Sequence, residues 1–106
     1  MANRKLGLLL STPPSHPSVE TVVELTQAAL RKGVDVYLYL IDEGVKTVTD
    51  QRYLRLIDAG VKMSVCAYGC QQPGVQTVTV DSRVSLSGLV VLSGIIGGCD
   101  RFLAFT

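Results

Sequence analysis

Cys66 is the residue of this chain that is best placed to do chemistry. It closes an apolar run at 61–65 and opens a stretch of small and polar residues at 67–70. In an α/β protein this pattern places a thiol where a strand ends. Ligands bind at that edge of the sheet, and a following helix offers free N–H groups to a thiolate. Cys66 is therefore a candidate nucleophile or sulfur carrier. The alternative is a structural role, because free cysteine is among the most buried residue types.

The spacing of the cysteines argues against several kinds of thiol site. Two residues separate the cysteines of a thioredoxin-type pair, whereas three separate Cys66 from Cys70. A phosphate-binding or rhodanese-like cysteine loop needs an arginine at its far end to hold an oxyanion, and Gln71 and Gln72 stand there instead. The chemistry that remains compatible with this spacing is sulfur transfer. In it, a thiolate attacks a sulfur donor, holds the sulfane sulfur as a persulfide and passes it to an acceptor thiol.

Neither a metal nor an organic cofactor is predicted. A structural zinc site needs four ligands, but the chain offers cysteines only at 66, 70 and 99 and a single histidine, His16. The glycines at 94, 97 and 98 lie in or after a predicted helix, not between a strand and a helix, so they do not form a nucleotide-binding loop. An odd number of cysteines fits a reducing compartment better than a disulfide framework.

Alternating strand and helix patterns must position these residues. Apolar residues at helical spacing over 19–31 predict an amphipathic helix that Ser15 or Ser18 caps. A polar loop over 42–47 precedes a second helix over 49–60. Strands are predicted at 5–10, 34–41, 61–65, 77–80 and 101–105. A repeating β-then-α unit of this kind predicts parallel strands joined by right-handed crossovers.

The last predicted helix, within 86–98, is apolar nearly all round. Such a helix is buried on more than one side, and a chain of 106 residues has little else with which to cover a second face. We therefore expect a homo-oligomer whose interface covers this helix. The stretch is too short, and too broken by glycine and serine, to cross a bilayer that needs about 20 residues.

Length and charge limit the remaining possibilities. With 106 residues, of which 47% are hydrophobic, the chain is expected to form a single domain over 1–106. The net charge is +1 and the charged residues are scattered singly, so nucleic acid is not an expected partner. The apolar run near the start is too short for a signal-peptide core, and a cytoplasmic location is expected.

The segment 65–75 resembles the DsrE-like sulfur-relay family (DsrE/DsrF/TusD-like proteins), in which small residues and then a Gly-Val pair follow a strand-end cysteine. The stretch 100–105 is similar to that family as well. The resemblance implies a single small flavodoxin-like α/β domain, with a mostly parallel five-stranded sheet flanked by helices. It also implies a trimer or hexamer that acts as a sulfurtransferase, carrying sulfur on Cys66 between donor and acceptor proteins. Cys70 and Pro73 depart from the family pattern.

Three further side chains are candidates for the same site. Cys70 either resolves the persulfide or is a bystander, and Tyr68 is expected to line the crevice. In a flavodoxin-like strand order the first and third strands are neighbours. His16 follows the first strand, so it either faces Cys66 and favours the thiolate or caps the helix. The residues interpreted as packing are Tyr37, Tyr39, Tyr53 and Cys99.

Two functions without sulfur transfer are also compatible with the sequence. In one, the crevice at the strand ends binds a small ligand and Cys66 merely lines it. In the other, the protein is a structural module that assembles through its apolar final helix, and Cys66 is unreactive in the native state.

Overall fold

The computed structural model describes residues 3–66 and 81–106, and at its centre is a five-stranded sheet. All the strands are parallel, and they lie in the order β4-β3-β2-β1-β5. Their bounds are Lys5–Leu10 for β1, Asp35–Leu40 for β2, Lys62–Cys66 for β3, Ser85–Ser87 for β4 and Arg101–Phe105 for β5. The predicted α/β fold with a parallel sheet of five strands is confirmed.

Helices flank this sheet on both sides. In the described residues they are α1 at Pro17–Arg31, a 3-10 helix at Asp42–Thr49, α2 at Gln51–Asp58 and α3 at Leu89–Gly98. None of these helices is long and apolar enough to cross a membrane.

The start of α1 differs from the prediction in the identity of its cap. His16, not a serine, is the N-cap residue, and its Nδ1 accepts a hydrogen bond of 3.0 Å from the backbone N–H of Ser18. Pro17 takes the first helical position, where its missing N–H costs nothing. The helix ends as predicted, because Gly33 adopts the left-handed conformation with φ +77°.

The loop predicted at 42–47 is wrong, since this segment belongs to the 3-10 helix. Val45 and Val48 are three residues apart and fully buried, and side chains at that spacing lie on one side of a 3-10 helix. Gly44 packs directly against the carbonyl group of Leu10, so that no side chain fits there. The Thr47 hydroxyl donates a 2.7 Å hydrogen bond to the Gly44 carbonyl. Because most residues of the segment are polar, the sequence alone did not indicate that one side of it is buried.

The strand next to β3 is β4. The sequence analysis did not predict this strand, because it assigned these residues to the unit that contains the final helix. Three residues are too few to show an alternating pattern, which explains why the strand was missed. The predicted strand at 77–80 lies outside the described residues.

The two faces of the sheet are covered by different helices. We call the side under α1 and α2 the aliphatic face, since its largest buried side chains include those of Leu8 and Leu38. We call the other side the thiol face, because there Cys66 and Tyr39 pack against Ile95 of α3.

Strand order also corrects one expectation about neighbours. β2 lies between β1 and β3, so the first and third strands are not adjacent. The order of strands in a sheet depends on how the crossovers run, which local patterns do not show.

Candidate functional site

Cys66 is the last residue of β3, as the sequence predicts, and it is a free thiol on the thiol face. Its register partner in the neighbouring strand is Ser87 of β4. Only 7% of Cys66 is exposed, and it packs in a cluster with Tyr39 and Ile95. The strand end therefore presents the thiol next to other side chains rather than freely to solvent.

Tyr39 is the functional candidate that the sequence analysis missed. It is fully buried in β2, and its register partner in β3 is Ser64, two residues before Cys66. Its hydroxyl donates a long hydrogen bond of 3.4 Å to the backbone carbonyl of Ser87. Because Ser87 belongs to the strand beyond β3, the Tyr39 side chain must cross β3 beside Cys66.

The pKa of Tyr39 depends on its burial and on the neighbouring Cys66. Burial raises the pKa of Tyr39 to about 12, and Cys66 adds to the increase through its charge as a thiolate and through a hydrogen bond between the two side chains. A phenol with this pKa stays protonated at neutral pH. Tyr39 therefore remains a hydrogen-bond donor that packs beside the Cys66 sulfur.

A signal for Tyr39 was present in the sequence. Side chains alternate along a strand, so Tyr37 and Tyr39 share one face of β2. What was missing was the knowledge that β2 is the direct neighbour of β3. With that pairing, a tyrosine close to the end of β2 lies level with residues just before Cys66.

Ser87 adds a second hydroxyl beside Cys66. Its Oγ is buried and has no hydrogen-bond partner within residues 3–66 and 81–106. Buried polar atoms are normally paired with protein or water. Its side chain points to the same face as that of Cys66, because the two residues are direct partners across parallel strands.

A family model described as the DsrE/DsrF-like family matches residues 4–105 of this chain. The chain belongs to the DsrE/DsrF-like family. This family is associated with sulfur relay, and the match spans every strand and helix described above.

Solved structures share the fold of this DsrE/DsrF-like chain. The ychN protein from E. coli superposes with a TM-score of 0.83 at 17% identity, covering 98% of this chain and 100% of that one. A protein of unknown function from Bacteroides thetaiotaomicron gives 0.77 at 14% identity, covering 95% and 94%. One from Methanobacterium thermoautotrophicum gives 0.75 at 13% identity, covering 98% and 100%. No curated protein matches the sequence.

His16 is not brought to Cys66 in the way that the sequence analysis expected. Its Nδ1 serves as the cap of α1, and β2 separates β1 from β3. The expectation that His16 faces Cys66 from an adjacent strand is therefore wrong, and its other predicted role, as a capping residue, is confirmed. Cys70 and Tyr68 lie outside the described residues.

Cys99 lies at the amino end of β5, whereas Cys66 lies at the carboxyl end of β3. It is half-buried and packs against the same cluster on the thiol face. Burial raises the pKa of the Cys99 thiol, and the nearby Lys5 opposes this increase. Across residues 3–66 and 81–106, no three His, Cys, Asp or Glu side chains meet in a way that could hold a metal ion.

Proposed function

We propose that this DsrE/DsrF-like protein carries sulfane sulfur as a persulfide on Cys66 and passes it to a partner thiol. The observation that carries this proposal is the position of Cys66, at the carboxyl end of a parallel strand and beside a tyrosine that stays protonated. Membership of a family associated with sulfur relay supports the same reaction.

The transfer needs no external oxidant or reductant. The Cys66 thiolate attacks the outer sulfur of a donor persulfide, forming the bond to that sulfur while the donor leaves as a thiolate. An acceptor thiolate then attacks the same outer sulfur, and Cys66 leaves as a thiolate. We place Tyr39 at both steps: its hydroxyl donates to the Ser87 carbonyl in the resting protein, and it turns its proton to the Cys66 sulfur when that sulfur is negatively charged.

Burial determines how a partner reaches the site. Ile95 and Tyr39 pack against Cys66 on the thiol face and leave 7% of the residue exposed. An approach over that face is therefore closed in the single chain. We place the approach of the donor and acceptor thiols at the carboxyl edge of the sheet, where β3 ends.

Self-association is part of the proposal. Three apolar side chains of α3 are at least half exposed, namely Leu89 at 62%, Val90 at 86% and Ile96 at 50%. An apolar patch of this kind marks an interaction surface. Together with the family resemblance, it supports a homo-oligomer, and we propose a trimer or hexamer that works in the cytoplasm with donor and acceptor proteins.

The test is mass spectrometry of the intact protein and its peptides after incubation with glutathione persulfide. We expect the Cys66 peptide to gain the mass of one sulfur atom. The gain should be absent in Cys66→Ser and retained in Cys99→Ser, which removes a thiol of the same cluster. No gain with this donor or with inorganic polysulfide, or a gain retained in Cys66→Ser, would remove the proposal.

A second candidate function follows from the burial of Cys66. A thiol that is 7% exposed is also what a ligand-binding or structural oligomeric module would contain. That function predicts that Cys66 resists alkylation in the native protein, and that Cys66→Ser retains both assembly and any copurified ligand. Rapid native-state alkylation of Cys66 would favour sulfur transfer over this alternative.

A further inference from the structure

A cavity of about 350 Å³ lies between α3 and the amino-terminal part of the thiol face. Its walls come from the sheet and from one side of α3, and they include neither Cys66 nor Tyr39. The lining residues are Lys5, Tyr37, Lys62, Ser64, Val91, Gly94, Ile95, Gly98 and Cys99. The volume lies at the lower end of the range for small-molecule sites, which are mostly apolar with a few convergent polar groups.

Glycines create this space. A side chain at Gly7 of β1 would meet Ile95 and Phe102 at 2.9 Å, so α3 sits close to the sheet at that point. The residues of α3 that line the cavity lie three or four positions apart and so share one face of the helix, at 91, 94, 95 and 98. Added Cβ atoms at Gly94 and Gly98 meet nothing within 4 Å. The helix is thus held near the sheet while two positions on its lining face carry no side chain.

The charge in the cavity is positive. Lys5 comes from β1 and Lys62 from β3, so the two lysines flank Tyr37 of β2 from opposite sides. Their Nζ atoms lie 6.0 and 5.0 Å from the centre of the Tyr37 ring. Within residues 3–66 and 81–106, neither ammonium group forms a salt bridge, and no carboxylate lines the cavity.

Two carboxylates close to Lys5, those of Asp100 and Asp35, accept hydrogen bonds from other groups than the lysine ammonium groups. The Asp100 carboxylate accepts a 2.7 Å hydrogen bond from the backbone N–H of Lys5. The Asp35 carboxylate accepts one of 3.5 Å from the side chain of Asn3. The two ammonium groups therefore converge on an aromatic ring, beside the aliphatic side chains of α3, with unused donors.

The geometry points to a binding site for a small organic acid, with its anionic groups between Lys5 and Lys62 and its apolar body against Tyr37, Val91 and Ile95. Carboxylates and sulfonates share the chemistry that this arrangement recognises. The site is separate from Cys66 and does not depend on sulfur transfer. Burial raises the pKa of Cys99, so that this thiol lines the wall as a neutral group.

Three related probes test the proposal on the full-length protein by calorimetry and by the methyl NMR shifts of Val91 and Ile95. Isophthalate carries two carboxylates, benzoate carries one, and benzamide is a neutral analogue. We expect isophthalate to bind more tightly than benzoate, and benzamide to shift neither methyl group. Affinity should fall as salt is added, because the attraction is between charges near the surface.

Two leucine variants provide a matched pair. Gly94→Leu places a side chain in the cavity, whereas Gly97→Leu adds the same side chain to α3 at a position that does not line it and is also open. Both changes favour the helix. Isophthalate binding should be lost in Gly94→Leu and retained in Gly97→Leu. Lys62→Met should weaken it by roughly threefold to tenfold, because the lysine is partly solvated.

Three results would overturn the proposal. One is equal binding of benzamide and isophthalate, which would show that charge plays no part. Another is equal loss of binding in the two leucine variants. The third is the absence of any methyl shift at millimolar isophthalate in a protein that is folded by its NMR spectrum.

Discussion

The aliphatic face and the thiol face differ in both residues and cover. α1 and α2 cover the aliphatic face, where Leu8, Leu38 and Val65 are fully buried. On the thiol face, within residues 3–66 and 81–106, α3 is the helix that packs on Tyr39 and Cys66, and lysines and a cavity lie beside them. Buried polar groups cost free energy unless they are paired. The aliphatic face therefore supplies most of the buried apolar core, whereas the thiol face carries the side chains of the two proposed sites.

The largest expected effect is loss of stability on the aliphatic face. Leu38→Ala removes a fully buried side chain from a central strand, and changes of this kind cost about 2–5 kcal/mol. Chemical denaturation measures the change in free energy of unfolding. Ser64→Ala is the control, since Ser64 is a small residue on the thiol face of β3. If Ser64→Ala lowered the free energy of unfolding as much as Leu38→Ala does, the two faces would not differ in their contribution to stability.

The close approach of α3 to the sheet gives the next largest effect. Gly7→Ala places a methyl group 2.9 Å from carbon atoms of Ile95 and Phe102, and overpacking costs about 1–3 kcal/mol. Gly97→Ala is the counterpart in α3, because an added methyl group there meets nothing within 4 Å. We expect thermal unfolding to occur earlier in Gly7→Ala and no earlier in Gly97→Ala. Two equally stable variants would contradict the close packing.

Tyr39→Phe should affect reactivity more than stability. It removes the hydroxyl beside Cys66, and a lost hydrogen bond of about 1 kcal/mol slows the reaction of the thiolate roughly threefold to tenfold. The measurement is the rate of Cys66 alkylation by iodoacetamide at pH 7. Tyr37→Phe is the matched variant, because it removes a hydroxyl from the same face of β2. Equal rates in all three proteins would show that the Tyr39 hydroxyl does not act on Cys66.

Alkaline pH should destabilise the protein through tyrosines associated with both faces. Burial raises the pKa of Tyr39 to about 12 and also raises that of Tyr53, whose hydroxyl donates to the Val19 carbonyl at 3.0 Å. Both phenols stay protonated in the folded protein after they ionise in the unfolded chain. Their stabilisation is complete below pH 10 and decreases as the pH rises from 10 towards 12.

Urea denaturation between pH 9 and 11.5 measures this decrease, and it should be smaller in Tyr39→Phe and in Tyr53→Phe than in the unchanged protein. An identical decrease in all three would contradict the assigned burial of both hydroxyls.

The smallest effect on stability is expected at the outer surface of α3. Val90 is 86% exposed, so Val90→Lys should change the free energy of unfolding of a single chain by no more than about 0.5 kcal/mol. In the proposed oligomer the same change places a charge in an apolar interface. Analytical ultracentrifugation should therefore show a shift to smaller species. An unchanged sedimentation profile would contradict the role of this helix in assembly.

Much of the fold could be predicted because its signals are local. Apolar residues at helical spacing predicted α1 and α2, a run of β-branched and aromatic residues predicted β2, and short apolar runs predicted β1, β3 and β5. The 3-10 helix at Asp42–Thr49 was missed because its buried side is made by two valines in a polar segment. β4 was missed because it has only three residues.

The candidate site could be predicted only in part, because its remaining members depend on strand order. The pattern around Cys66 indicated a strand end, and the structure confirms it. Which side chains lie next to that residue depends on the pairing of β3 with β2 and β4. Pairing between distant segments is not encoded in local periodicity, which is why His16 was expected near Cys66 and Tyr39 was not.

Release of sulfur to cyanide tests the central claim most directly. Cyanide takes the outer sulfur of a persulfide as thiocyanate and leaves the cysteine thiol, so thiocyanate measures the transferable sulfur. After loading with glutathione persulfide and removal of the excess, we expect about one thiocyanate per chain from the unchanged protein and from Cys99→Ser, and none from Cys66→Ser. The same yield from Cys66→Ser would contradict the account, because the sulfur would then be carried by another residue.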